Sequence, residues 1–266
     1  MSDDYDYENL RVTDEDSVRR VVIDSTSKMN TMNRAMIDEL TDLFVQLEDD
    51  RPRCLVLTGS DGVFCGGGDV LDLGNTDAAT PARGFRQGAA VLHDAMLHLH
   101  QAEVPVVTGV NGPAVGAGFS LALAGDYTLA SDDAYFQYGY PKIGLTGDGG
   151  STFYLPRTVG RREAKRLVLL NEQVDAADAT ERGLATEVVS EDEFDDRLDE
   201  VAGEIAAGPT VALGRTMRLL DESHARDMPS QLAQETQAMA DCAKTDDHIE
   251  GITAFAEKRE PEFTGE

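Results

Sequence analysis

The chain has 266 residues, 41% of them hydrophobic, enough to bury a sizeable core in one or two domains and too apolar for wholesale disorder. Its 50 acidic residues outnumber 23 basic ones and leave a formal net charge of −27, so nucleic acid and anionic membranes are poor partners. No apolar run is long enough to span a bilayer, and the acidic stretch Met1 to Glu8 lacks the basic and apolar regions of a secretory signal; a soluble, cytoplasmic protein is expected.

The acids are spread along the chain, and 30 of them are Asp, whereas only five of the basic residues are Lys. This pattern is expected of adaptation to high salt, where ions screen the self-repulsion. Cys54, Cys65 and Cys242 are odd in number and far apart, which argues for reduced thiols rather than disulfides or a zinc site.

In chain order, Val18 to Ile23 reads as a strand. From Asn33 onward Met36, Leu40, Leu43 and Leu47 recur at spacings that form one helical face. Cys54 to Thr58 is a short apolar run closed by Gly59, as in a buried strand. Leu71 to Gln87, with Gly, Pro and polar residues, reads as a loop that shapes an acyl pocket. Leu92, Met96 and Leu99 mark a helix, and Val104 to Val110 another strand; strands alternating with helices indicate an α/β fold with parallel pairing. Phe194, Leu198, Val201 and Ile205 lie at helical spacing, Pro209 can open the next helix, and further helices follow Pro229 and Asp246. The expected organisation is a catalytic core over 1–200 and an all-helical region over 201–266, the latter too small to stand alone.

Two glycine-rich segments each follow a predicted strand: Val63-Phe64-Cys65-Gly66-Gly67-Gly68-Asp69 and Asn111-Gly112-Pro113-Ala114-Val115-Gly116-Ala117-Gly118. Without side chains, main-chain N–H groups can approach a ligand closely, and the second segment runs into a helix N-terminus that favours negative charge. Two such loops face to face could supply converging donors to an oxyanion; tight turns are the equally good plain reading. Neither segment has the ending of a phosphate-binding P-loop or the dinucleotide spacing. His93, His98 and His100 do not form a metal face: His93 and His100 stand about 10.5 Å apart along a helix, and His98 points elsewhere. No metal and no separate cofactor are expected.

Lys28-Met29-Asn30-Thr31-Met32-Asn33, the two glycine segments, Asp126 with Ala130, Pro156-Arg157, Val159-Gly160-Arg161 and the closing Ala254 to Phe263 occur in an order and spacing that resemble the crotonase, or enoyl-CoA hydratase/isomerase, superfamily over nearly the whole chain. The resemblance implies a crotonase-like spiral of ββα repeats with a helical C-terminal region that makes trimers or dimers of trimers. It also implies an acyl-coenzyme A thioester as substrate, with the backbone N–H groups of Gly68 and Ala117 as oxyanion donors. Ala117 replaces a commoner Gly, a change that a backbone donor tolerates. Ligand contacts implied by the same match are Lys28, Asn30, Met32, Gly66, Gly67, Asp69, Gly116, Ser120, Tyr140 and Lys258, with Lys28, Lys258 and Arg259 available to the coenzyme A phosphates and the C-terminal basic residue often lent by a neighbouring subunit.

Two glutamates hold the water in the hydratases of the superfamily; here their positions fall on Ser120 and on or near Tyr140. Instead Gly144-Leu145-Thr146-Gly147-Asp148-Gly149-Gly150-Ser151 resembles the G-L-x-P-D-x-G-G segment of a subgroup in which the aspartate is the acid/base, a subgroup that includes ring-epoxide isomerases of phenylacetyl-CoA breakdown and enoyl-CoA isomerases. Gly147 stands where that segment has Pro, so a looser loop is expected. The implied chemistry is double-bond or ring isomerisation through an enolate with Asp148 carrying the proton. Hydration, with Glu103 or Asp69 replacing the missing glutamates, is the alternative; a non-catalytic acyl-CoA-binding subunit is a further one. A dehalogenase of the superfamily is disfavoured because the resemblance there includes a catalytic tryptophan and the chain has no Trp; RNA binding is opposed by a pI near 4.3.

The salt-adaptation reading predicts that the thermal midpoint climbs as KCl is raised from dilute buffer to molar concentration; a midpoint indifferent to KCl would exclude it.

Overall fold

The computed structural model describes residues 5–27, 29–71 and 81–266. Leu10–Glu15 (β1) and Val18–Ile23 (β2) form an antiparallel hairpin. Its two-residue turn places Asp16 at φ 48° and Ser17 at φ 66°, the left-handed pair that matches the twist of the flanking strands. The next element, Arg34–Asp50 (α1), opens on Asn33, whose Oδ1 accepts from the Met36 N–H at 2.8 Å. Its predicted face of Met36, Leu40, Leu43 and Leu47 is buried, widened by Ile37 and Phe44.

Cys54–Gly59 (β3) is buried at every position because it is central and covered on both faces. Alternation divides its side chains: Leu55 and Leu57 join the large cluster under α1 and the next helix, while Cys54 and Val56 join the cluster on the other face. That next helix is Pro81–Gln101 (α2), so residues 81–87, read above as loop, are helical; 72–80 lie outside the described residues. Gly84 and Gly88 are buried in α2.

Four further elements repeat the pattern: Val106–Val110 (β4), Pro113–Val115 (β5), Ala117–Ala122 (α3) and Tyr127–Ser131 (β6), followed by Tyr135–Gln137 (β7). Then come Ser151–Thr158 (α4), Gly160–Leu170 (α5), Gln173–Asp175 (β8), Ala176–Arg182 (α6), Glu187–Val189 (β9) and Glu191–Ala206 (α7). The main sheet runs β1-β2-β3-β4-β6-β9, parallel after the hairpin; a smaller sheet runs β5-β7-β8. Isolated bridges Met32↔Gly68 and Cys65↔Ala114 extend the second layer. Each turn of the chain therefore gives one strand to the main sheet, one short extended piece to the second layer, and then a helix. This is the expected spiral.

Side-chain amides tie successive turns together. Asn30 Nδ2 donates to the Val63 carbonyl at 2.7 Å and to the Ser60 carbonyl at 3.2 Å, and Asn111 Nδ2 donates to the Gly59 carbonyl at 2.8 Å. The outer face of the sheet is closed by Phe194, Leu198 and Val201 of α7. Gly109 is required there, since a Cβ on it would lie 2.6 Å from Leu198 Cδ2. The chain ends in Thr210–Glu222 (α8), Met228–Cys242 (α9) and Asp246–Glu257 (α10), the helical tail expected from sequence. The first of these is anchored to the core at Gly214, where a Cβ would meet the Glu103 carbonyl at 2.1 Å, and beside it Arg53 donates to the Gly208 carbonyl. No helix among the described residues is long and apolar enough to cross a membrane.

Burial pushes the Cys54 and Cys65 thiols up to about 12, whereas Cys242 is half-exposed. Thiolate, not thiol, is the nucleophile. Native protein at about pH 8 is expected to lose only Cys242 to a thiol reagent within minutes, and all three after denaturation; rapid native modification of Cys65 would contradict this burial.

Candidate active site

The first glycine segment is pinned on both edges. Cys65 exchanges hydrogen bonds with β5, its N–H donating to the Pro113 carbonyl at 3.0 Å and its carbonyl accepting from Val115 at 2.9 Å. On the other edge, Met32 N–H donates to the Gly67 carbonyl and Asp69 N–H donates to the Met32 carbonyl, both at 2.8 Å. The flanking groups thus face Met32, and the alternation of an extended strand turns the Gly68 N–H to the opposite side, where β5 and Gly116 lie. Gly67 makes that turn at φ 98°; a Cβ there would lie 2.8 Å from the Val115 carbonyl and 3.4 Å from the Ala117 nitrogen. Ala117 opens α3, so its N–H has no partner in the helix. Neither the Gly68 nor the Ala117 amide has an acceptor among the described residues.

Both amides line one cavity of about 270 Å³. Met32, Gly66, Gly67 and Gly116 share its wall, Phe85 and Leu92 of α2 supply an apolar side, and Tyr140, Lys142 and Asp148 close it.

Asp148 reaches this cavity from a loop held at several points. Tyr140 donates through its hydroxyl to Asp148 Oδ1 at 2.6 Å. Ser120 Oγ donates to the Asp148 backbone carbonyl at 2.9 Å and lies 3.3 Å from the Tyr140 hydroxyl. Gly147 N–H donates to the Tyr138 hydroxyl at 2.7 Å, and the two tyrosine rings pack at 5.0 Å between centroids. The loop is tied where a looser one was expected. A proline at 147 would have no N–H for Tyr138, and any Cβ there would meet Ser151 Oγ at 2.3 Å and the Tyr138 hydroxyl at 2.4 Å. Burial, then the neighbouring Asp148 carboxylate, raises the Tyr140 hydroxyl well above the ordinary tyrosine range, so it remains a donor.

The fold does not bring every expected residue to the cavity. Asn30 is buried with its amide committed to Ser60 and Val63, so it braces the glycine loop from behind. Asp69 accepts from the Leu71 N–H and does not line the cavity; nor does Ser120, which acts on it only through Asp148 and Tyr140. Lys258 caps α10 at φ 59° and does not line the cavity, and Arg259 is held by Glu250 and Glu257. Lys28 lies outside the described residues. Glu103 pairs with Arg215 and Arg218, and Asp126 accepts from the Val106 N–H at 2.8 Å, a strand tie. Phe136 and Tyr138 are buried, whereas Phe85 and Tyr140 line the cavity. Sequence reading missed Lys142, although it is one of only five lysines and sits beside Tyr140; its ammonium donates to Gln137 Oε1 at 2.9 Å.

Asp148 also borders a second cavity of about 530 Å³, lined by Met96, Leu97 and Phe153 with His93, His100 and Tyr154. The three histidines do not converge: His93 is exposed, His98 faces Glu48 at 3.9 Å, and His100 lies between Tyr154 and Asp221. Among the described residues no group of side chains could hold a metal ion.

An α/β spiral with two free amides and a carboxylate facing one small cavity defines a class of enzyme that handles a carbonyl next to a reacting carbon. Residues 13–266 match the enoyl-CoA hydratase/isomerase family. The chain is 34% identical over 253 residues to 1,2-epoxyphenylacetyl-CoA isomerase of Escherichia coli, covering 94% of this chain and 96% of that one. It is 33% identical to 4-chlorobenzoyl coenzyme A dehalogenase-2 of an Arthrobacter species, covering 89% and 86%. Among solved structures, the enoyl-CoA hydratase of Bacillus anthracis superposes with a TM-score of 0.90 at 27% identity, covering 97% of this chain and all of that one, 100%. The chain belongs to the enoyl-CoA hydratase/isomerase family, the crotonase superfamily.

Proposed function

We propose that the protein isomerises an enoyl- or aryl-acyl-CoA thioester, shifting a double bond or rearranging a ring, through an oxyanion-stabilised enolate. The observation that carries this reading is that Asp148 is the one carboxylate among the described residues lining the cavity that holds the Gly68 and Ala117 amides. The positions that hold water in hydratases carry Ser120 and Tyr140, and both are turned onto Asp148.

For a 3-enoyl-CoA the steps balance without any other reactant. Asp148 takes a proton from C2, the electron pair moves into the thioester carbonyl, and the resulting oxyanion accepts from the Gly68 and Ala117 amides. The same carboxyl returns the proton at C4, the double bond settles between C2 and C3, and the carboxylate is regenerated. Donors fixed by the backbone need no reorganisation as charge develops. The acyl group beyond the reacting carbons runs past Asp148 towards the second cavity along α2, which has room for a ring or a longer chain.

Lys142 at the mouth and Lys28 serve the coenzyme A phosphates, with Lys258 supplied from a neighbouring subunit of a homotrimer or a dimer of trimers. Exposed apolar side chains on the three terminal helices, among them Leu220, Leu232, Met239, Ile252 and Phe255, support such an assembly. Likeness to a hydratase structure favours hydration as the second reading. Asp69 and Glu103, the acids that reading needs, do not line the cavity. Water addition to crotonyl-CoA measured beside isomerase turnover separates the two.

Asp148→Asn is expected to lower turnover of a 3-enoyl-CoA by ~10²-fold or more, and activity within a few-fold of wild type would end the assignment. Ala117→Pro removes one N–H at the first helical position, where proline is tolerated. It is expected to cost ~10²–10³ in kcat with little change in thermal midpoint; an unchanged kcat would remove Ala117 from the oxyanion site.

A further inference from the structure

We propose that Tyr140 and Ser120 are positioning residues for Asp148, holding its carboxylate so that one oxygen is engaged and the other alone is presented to the substrate. The proposal rests on the isomerase reading above and deepens it.

Tyr140 is buried, with 8% of its surface exposed, and its hydroxyl meets Asp148 Oδ1 at 2.6 Å, a short charge-assisted bond. A hydroxyl so disfavoured from ionising donates in this bond and does not accept. With Oδ1 taken, Oδ2 is the oxygen available in the cavity. Ser120 adds a second restraint: it is fully buried, and its Oγ donates to the Asp148 backbone carbonyl at 2.9 Å while lying 3.3 Å from the Tyr140 hydroxyl and from the Gly116 carbonyl. The Tyr138 hydroxyl fixes the preceding residue by accepting from Gly147.

The loop between Gly144 and Gly150 needs such restraint because its sequence is permissive. Gly144, Gly149 and Gly150 have φ of 71°, 55° and 83°, and nothing would crowd a side chain at Gly144. A base on a free loop would sample many orientations, and a misplacement of about 1 Å can cost ~10²-fold. The tyrosine and serine replace that freedom with a fixed aim. Other polar groups near Asp148 do not duplicate the role: Lys142 is engaged by Gln137, while His93, His100 and Tyr154 face it across the second cavity.

The test compares wild type with Tyr140→Phe, Asp148→Asn and the double variant, using a 3-enoyl-CoA across the pH range. Loss of a hydrogen bond to a charged group corresponds to a ~10- to 100-fold fall in kcat for Tyr140→Phe, with KM held within about threefold. In the Asp148→Asn background the same tyrosine substitution is expected to cost nothing further, because both act through one group. Tyr140→Phe within twofold of wild type in kcat, or losses that multiply in the double variant, would overturn the proposal while leaving the isomerase reading intact. An active Asp148→Asn would overturn both. Should Tyr140→Phe not fold, Ser120→Ala serves in its place. It is expected to lose ~3- to 10-fold in kcat with KM held within about threefold, and wild-type behaviour would overturn the proposal.

Discussion

Backbone contact between successive turns of the spiral is the constraint on which the rest of this structure depends. A Cβ on Gly118 would lie 2.1 Å from the Cys65 carbonyl, on Gly112 1.9 Å from the Gly62 carbonyl, and on Gly59 1.9 Å from the Val63 carbonyl. Main chain packs on main chain at these points, and only glycine permits it. Such close approach has a conformational cost in the unfolded chain, offset by bonds that are buried and well made: the Asn30 and Asn111 amides and the exchanges between Cys65 and β5. The same contacts leave the Gly68 and Ala117 amides without an acceptor among the described residues. Packing of the turns and openness of the site are one arrangement seen from two sides.

Parts of this were legible in the chain because they follow a period. The face Met36, Leu40, Leu43 and Leu47 and the face Phe194, Leu198, Val201 and Ile205 are buried as their spacing required, apart from the half-buried Ile205. The run Cys54 to Thr58 is a central strand because nothing but apolar side chains and a Thr whose hydroxyl bonds the Gly109 carbonyl could be covered on both sides. Other parts were hidden for reasons of the same kind. The strands of the second sheet are three residues long, too short to carry an alternation. The start of α2 was masked by Pro81, Gly84 and Gly88; the proline suits a first helical turn, and the glycines serve packing rather than a turn.

The cluster around Asp148 shows what spacing cannot carry. Ser120, Tyr140 and Asp148 are separated by twenty and eight residues, and their meeting depends on α3, a short 3₁₀ turn at Tyr140–Ile143 and a glycine loop all ending at one point. Family likeness located the aspartate, and it located the two positions that had lost their glutamates. It could not say that these positions had become partners of the aspartate, because that is a fact about hydroxyl directions. Gly147 is the instructive case. As a sequence change from proline it reads as lost stiffness, yet in the structure its N–H is the atom that Tyr138 holds, and the restraint has moved from a ring to a hydrogen bond.

An acidic chain that takes a polyphosphate ligand, as proposed above, needs cations outside its own salt bridges. Eleven of its eighteen arginines form ion pairs among the described residues, several with two acids at once: Arg19 with Asp14 and Asp50, Arg166 with Glu163 and Glu172, Arg197 with Glu187 and Glu200, Arg259 with Glu250 and Glu257. Individually such surface pairs contribute little, but sharing one guanidinium between two carboxylates lowers repulsion where acids crowd. Arg259 is thereby withdrawn from the role its position suggested. Lysine, a point charge on a flexible stem, suits the remaining task better, since a phosphate approached from solvent asks for reach rather than a fixed fork. Lys142 fits that division: among the described residues its bond is to the neutral Gln137, and it lines the cavity that Gly68 and Ala117 also line.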